Sequence, residues 1–181
     1  MAQCPEPGQP LVQETLVQRQ QRYCFDTDAL ISLHHDDLLP RLKRWADVGF
    51  VTIPTGVSRE LEERDRSAYR FVSGWRADVF VDPERDEGAH RILPRLFRAY
   101  GEQFSLGRYT YKGLATGPRG YKAAEFEMIA LAKANGWTAV SNENSVHGAC
   151  TMEIVMCLDW TSVRTLLLAG RPPGSMPLPG L

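Results

Sequence analysis

A three-layer α/β/α sandwich around a central, mostly parallel sheet is the fold this sequence predicts, and two observations predict it. Short β-rich runs alternate with helical patterns: Tyr23-Cys24-Phe25 precedes Ala29-Leu30-Ile31-Ser32-Leu33, and Phe50-Val51-Thr52-Ile53 precedes Val57 and Leu61. Such alternation is the pattern of an α/β fold with a parallel sheet. The chain's 181 residues, 43% of them hydrophobic, suffice for one substantial core and contain nothing that divides them into two folding halves.

Residues 1–21 are rich in Gln and carry Pro5, Pro7 and Pro10, which predicts a poorly ordered arm. The domain, residues 22–169, opens with the strand ending at Asp26 and a first helix. A second helix fits Leu38 to Asp47, with Asp36 and Asp37 as its cap and His34 and His35 in a solvated loop before it. The strand at Phe50–Ile53 passes through Pro54 into a helix marked by Val57 and Leu61. Val79-Phe80-Val81 reads as a third strand, and Ile92, Leu93, Leu96, Phe97, Tyr100 and Phe104 as one stripe of an amphipathic helix. Residues 105–122 read as an exposed loop. A helix from Ala123 to Ala134 is stopped by Asn135-Gly136, and Trp137 to Val140 forms a strand running into Ser141-Asn142-Glu143. One more helix, a short strand from Leu158 to Trp160 and a helix from Ser162 to Ala169 complete the domain. Residues 170–181, GRPPGSMPLPGL, are a tail whose Pro and Gly content excludes regular structure.

No apolar run approaches the length of a membrane span, and MAQCPEPGQP lacks the basic and apolar regions of a secretory signal, so the expectation is a soluble, cytoplasmic protein without a membrane partner. Cys4, Cys24, Cys150 and Cys157 form no CxxC pair, which gives no support to a disulfide framework or a zinc knuckle. A formal net charge of −1 argues against a protein that coats nucleic acid through bulk electrostatics, while leaving room for a local basic groove.

Four acids carry the functional signal. Asp26, Glu60, Glu125 and Glu143 each stand where a strand or loop passes into a helix, and the ligand site of a parallel sheet lies at the carboxyl ends of its strands. At about 100° per residue, Glu125 shares the stripe of Met128, Ile129 and Ala132 while Glu127 points away from it. The same count sets Glu60 beside Val57 and Leu61, turns Glu62 to solvent and leaves Glu63 less well placed. Each acid alone has a plainer reading, as a residue complementing a helix dipole or, for Asp26, as an N-cap. Together, four such charges require a cation, and oxygen-only ligands favour Mg²⁺ or Mn²⁺. Between Gln103 and Ala124 the chain holds Arg108, Lys112, Arg119 and Lys122, interleaved with Tyr109, Tyr111 and Tyr121 and free of acids. Such a segment suits phosphate contact and base stacking as well as it suits a plain surface loop.

Four segments, in order, resemble the PIN domain nucleases, a family that includes the VapC-type toxins. They are Phe25-Asp26-Thr27-Asp28-Ala29-Leu30-Ile31; Val51-Thr52-Ile53-Pro54 running into Val57-Ser58-Arg59-Glu60-Leu61; Glu125-Phe126-Glu127-Met128-Ile129-Ala130-Leu131-Ala132; and Ala139-Val140-Ser141-Asn142-Glu143. The resemblance spans about Tyr23 to Leu168 and does not extend to residues 65–122. It implies a metal-dependent ribonuclease with Asp26, Glu125 and Glu143 as metal ligands. Glu60 would be a further ligand or the base orienting water, with Thr27, Asp28, Ser141 and Asn142 in support. It also implies RNA as substrate, and, for a toxin, an antitoxin partner and a homodimer built on the apolar helices before residue 80. Asp28 departs from the family's usual Asn or Ser, and Glu125 and Glu143 stand where Asp is frequent. Asp26-Thr27-Asp28 is also similar to the Asp-x-Asp opening of haloacid-dehalogenase-type phosphatases, although Leu30 departs from that motif and no Lys followed by paired Asp appears. A non-catalytic binding protein on a PIN-like fold is the third reading.

Overall fold

The computed structural model describes residues 22–115 and 124–170. The N-terminal arm, the Pro/Gly-rich tail from residue 171, and Arg119, Tyr121 and Lys122 lie outside the described residues.

Strand β1 (Tyr23–Phe25) is followed by α1 (Thr27–His35) and α2 (Leu39–Asp47). Strand β2 (Val51–Pro54) leads into α3 (Thr55–Arg64) and α4 (Arg66–Val72), and a 3-10 turn at Ala77–Val79 leads into β3 (Phe80–Val81). After α5 (Glu87–Tyr100) comes a hairpin, β4 (Phe104–Leu106) and β5 (Tyr109–Tyr111). The chain then forms α6 (Ala124–Asn135), β6 (Thr138–Val140), α7 (Asn144–Met152), β7 (Cys157–Leu158) and α8 (Trp160–Leu168). Aspartates start several helices by accepting backbone amides: Asp26 for α1, Asp65 for α4, Asp86 for α5 and Asp159 for α8. Each such cap stabilises by about 1 kcal/mol.

Five strands pair in parallel in the order β3-β2-β1-β6-β7. Side chains alternate across this sheet, so each strand feeds two cores. Tyr23, Phe25, Val51, Ile53 and Val140 pack with α1, α2, α3, α4 and α8 on one face, whereas Cys24 and Ala139 pack with α5, α6 and α7 on the other. The fold is therefore the three-layer α/β/α sandwich expected. Fully buried Phe25, Leu30, Leu33, Ile53 and Leu61 each contribute roughly 1.5–3 kcal/mol of apolar burial. No helix among the described residues is long and apolar enough to cross a membrane.

Several expectations need correction. Phe104 ends the predicted helical stripe on paper but begins β4, because α5 closes at Tyr100. Residues 105–111, read as loop, belong to the hairpin, which turns at Gly107 with φ +60°. Tyr111 is packed rather than offered for stacking: its ring lies 5.2 Å from that of Phe104 and against Gly148 of α7. Helix α4 has no counterpart in the sequence reading, and Trp160 belongs to α8 instead of the last strand. Asp36 closes α1 and pairs with Arg164 at 2.5 Å, while the N-cap position of α2 is held by Leu38, which makes no side-chain cap bond. His34 and His35 form the last turn of α1. The helices before residue 80 turn their apolar faces into the core, leaving Val48 and Phe71 as the large exposed hydrophobics there. A denser exposed group, Met152, Ile154 and Met156, lies beside β7.

Candidate functional site

The chain lays β2 and β3 on one side of β1, then returns to lay β6 and β7 on the other. Where the order reverses, the connections leaving two neighbouring strands diverge and open a crevice at the carboxyl edge of the sheet. Asp26 follows β1 at this point and Ser141-Asn142-Glu143 follows β6. The Asp26 amide donates to the Val140 carbonyl at 3.1 Å, so the sheet itself fixes the two connections side by side.

Asp26 is only 4% exposed. Its Oδ1 accepts the Ala29 amide at 2.7 Å, so the N-cap reading holds for one oxygen. Burial pushes its carboxyl up to about 7, against hydrogen bonds from Ser141 and the Ala29 amide, and the charges of Asp28 and Glu125 push the same way. Ser141 is itself wholly buried, and its Oγ accepts the Glu143 amide at 3.1 Å, linking the two acids through one hydroxyl.

Glu60 reaches the crevice from α3. The Thr27 hydroxyl donates to its Oε2 at 2.8 Å, and Arg64 donates to its Oε1 at 3.1 Å. Arg64 also holds Asp28 at 2.5 Å, bridging two carboxylates. Glu125 lies in the first turn of α6. Loss of hydration raises its carboxyl to about 7, and the charges of Glu143, Glu60 and Asp28 add to the rise. Glu143 occupies the N-cap position of α7 but makes no cap bond. Its carboxyl is raised by desolvation and by Asp28 and Glu60, while Arg64 and Lys112 work in the opposite direction.

The fold thus brings Asp26, Asp28, Glu60, Glu125 and Glu143 into one electrostatic neighbourhood, with Arg64 as internal counter-charge and Lys112 of the hairpin at its edge. Among the described residues, no three His, Cys, Asp or Glu side chains converge as a ready ligand set. The donor chemistry nevertheless fits a hard divalent cation, since the cluster is all oxygen and a cation would displace the protons that burial favours on Asp26 and Glu125.

Two supporting assignments take a different form from the one expected. Thr27 serves Glu60 directly, and the Asn142 side chain accepts the Trp160 amide at 3.0 Å, tying the β6 connection to the start of α8. The contrast drawn between Glu125 and Glu127 is overturned. Helix α6 is buried almost all round, and Glu127 is only 7% exposed, less than half-buried Glu125. Its Oε2 accepts the Gly56 amide at 2.7 Å at the start of α3. Arg108 sits at the hairpin turn with its guanidinium 5.2 Å from the Tyr109 ring.

Sequence reasoning missed Arg64, although its i, i+4 spacing from Glu60 on one helix is a readable signal. It also missed His147, whose Nε2 lies 2.8 Å from the Ser141 carbonyl and so braces the connection that carries Glu143. The Cys150 thiol and His147 beside it hold the Cys157 thiol below its ordinary range, whereas burial pushes Cys24 up. No protein-family model matches the chain, and no curated protein gives a significant match to it.

Proposed function

We propose that this chain is a cytoplasmic, metal-dependent endoribonuclease of the PIN type. The observation that carries the reading is the crowding of Asp26, Glu60, Glu125 and Glu143 at the strand-order reversal, where burial first and neighbouring acidic charges second raise the carboxyls of Asp26, Glu125 and Glu143. A carboxylate cluster that self-repels is poorly suited to structural duty and well suited to a cation.

Asp26, Glu125 and Glu143 would hold Mg²⁺ or Mn²⁺, which when bound supplies charge neutralisation at the phosphate and an activated water. Asp26 and Glu125, whose carboxyls burial raises to about 7, would release their protons on holding the cation. Glu60, whose Oε2 accepts from Thr27 and whose Oε1 accepts from Arg64, would be a further ligand or the base orienting the attacking water. Ser141 sets the spacing between Asp26 and Glu143. Lys112 and, further out on the hairpin, Arg108 would contact RNA phosphates, and exposed Tyr109 would offer a stacking face. Arg119 and Lys122 complete the same basic segment in the sequence. The toxin form of the reading adds an antitoxin partner and a homodimer.

The test is cleavage of a labelled pool of RNA and single-stranded DNA with Mg²⁺, Mn²⁺ or EDTA, comparing the parent with Asp26→Asn and Glu125→Gln. Metal-dependent RNA cleavage lost in both variants is the expected outcome; cleavage that survives EDTA or either substitution sinks the reading. A second reading, a non-catalytic binding protein, draws on the Arg64 bridge, which already offsets part of the charge of Asp28 and Glu60 without a metal. Under that reading no cleavage and no metal-induced stabilisation would be seen.

A further inference from the structure

Beside the acidic crevice lies a cavity of about 720 Å³, bounded by the start of α3, the loop after β3, one face of α5 and the first turn of α6. Helices α3 and α6 contribute residues to both. Glu60 and Glu125 belong to the acidic cluster, whereas their neighbours Arg59, Phe126 and Glu127 line the cavity, as the turn of about 100° between successive helical residues allows.

The lining combines three chemistries. Partly buried Phe97 supplies an aromatic wall, backed by Phe126, which is only 1% exposed, with ring centroids 5.7 Å apart and planes inclined by 58°. Glu127 supplies a buried acceptor: its Oε2 is taken by the Gly56 amide, but its Oε1 has only the Arg59 guanidinium at 3.5 Å among the described residues. Arg59 and Arg98 supply positive charge from exposed positions, and the Arg98 guanidinium makes no hydrogen bond among the described residues. Pro94, inside α5, lacks an amide hydrogen and leaves the His90 carbonyl without its usual helical donor. Asp82, at the rim, accepts the Glu84 amide at 3.0 Å and faces Arg85 at 3.5 Å.

We propose that this cavity binds a nucleoside monophosphate, its base against Phe97 with an amino or imino edge donating to Glu127, and its phosphate on Arg59 and Arg98. The volume lies in the range of small-molecule sites. A wholly apolar ligand would strip water from Glu127 and the arginines without replacing it. A simple anion would meet Glu127 and leave the aromatic wall unused. A molecule with a donor edge at one end and an anion at the other satisfies all three. No residue invoked belongs to the acidic cluster, so binding here is independent of hydrolysis there.

The test is calorimetric titration of the full chain, in EDTA, with GMP, AMP, CMP, UMP and ribose 5-phosphate. At least one nucleotide is expected to bind with a sub-millimolar Kd, and ribose 5-phosphate at least tenfold more weakly. Arg98→Glu, at an exposed position, should weaken binding tenfold or more at unchanged melting temperature, while Asp26→Asn leaves it intact. Glu127→Gln should alter the ranking of the four bases. The proposal is overturned if no monophosphate binds the parent, if ribose 5-phosphate binds as well as the nucleotides, or if Arg98→Glu has no effect.

Discussion

Asp26 and Glu125 are the residues in which structure and chemistry are most directly in conflict. Both carboxyls are raised to about 7, so the native state holds protons that an unfolded chain has released by pH 5. The stability linked to these groups is complete below the unfolded carboxyl range and is lost as pH rises from about 4 through 7. In EDTA, the protein should therefore melt progressively lower across that interval. Asp26→Asn keeps an acceptor for the Ala29 amide but carries no charge, so it should flatten the slope and stabilise the metal-free protein at pH 8 by at least about 1 kcal/mol. Melting curves across pH for the two proteins decide it, and parallel curves would refute the assignment. Gly56 offers a second test. An Ala there gains about 1 kcal/mol of helix propensity, but its Cβ would sit 2.6 Å from the Glu127 carboxylate. Displacing that carboxylate from the Gly56 amide costs about 1–3 kcal/mol, so chemical denaturation should show Gly56→Ala as net destabilising. Asp26 was legible in the sequence because an acid closing a short apolar strand is conspicuous. Glu127 was not, because a helix buried all round has no polar face against which to judge it.

Among the elements, α5, α6 and α7 are clamped by one acid. Glu153, at the end of α7, is 3% exposed and accepts hydrogen bonds from Arg95 at 2.8 Å and Tyr100 at 2.7 Å, with Lys133 of α6 at 2.7 Å. Burial works to raise its carboxyl, but these donors prevail and hold it at about 2. Its contribution is present above the ordinary carboxyl range and disappears as pH falls through 2. Glu153→Ala leaves Arg95 and Lys133 without their shared partner, and about 3 kcal/mol of stability should be lost at pH 7. Hydrogen exchange should show α5 amides losing protection; protection unchanged from the parent would count against the clamp. The hairpin lay beyond sequence reading for a related reason. Its three-residue strands are too short to display alternation, and what holds them is tertiary: Tyr111 stacked on Phe104 and pressed against Gly148, and Gly113 in close approach to the backbone of Gly101 and Glu102. The strand-to-helix units at Tyr23 and Phe50 were legible because each carries a complete local signal.

At the scale of the whole molecule, alternation along the chain predicts a parallel sheet but not the order of its strands, and the order is what creates the site. Only because β6 returns to the open side of β1 do Asp26 and Glu143, distant in sequence, share a crevice with Glu60 and Glu125. A chain of net charge −1 thereby gathers five acids at one edge of the sheet, two of them paired with Arg64, and a divalent cation binding there should stabilise the folded state alone. At a concentration 100 times its Kd, such a cation contributes about 2.7 kcal/mol, which for a domain of this length raises the melting temperature by roughly 5–10 °C. Mn²⁺ or Mg²⁺ at pH 7 should produce that rise in the parent, and it should be largest above pH 7, where metal-free repulsion is greatest. Asp26→Asn, Glu125→Gln and Glu143→Gln should each reduce it, whereas Glu62→Gln, an exposed acid on the outer side of α3, should not. Equal rises in all five proteins would mean that the cation binds elsewhere. The cluster would then be held by burial and by Arg64, which pairs with Asp28 and Glu60, rather than by a metal.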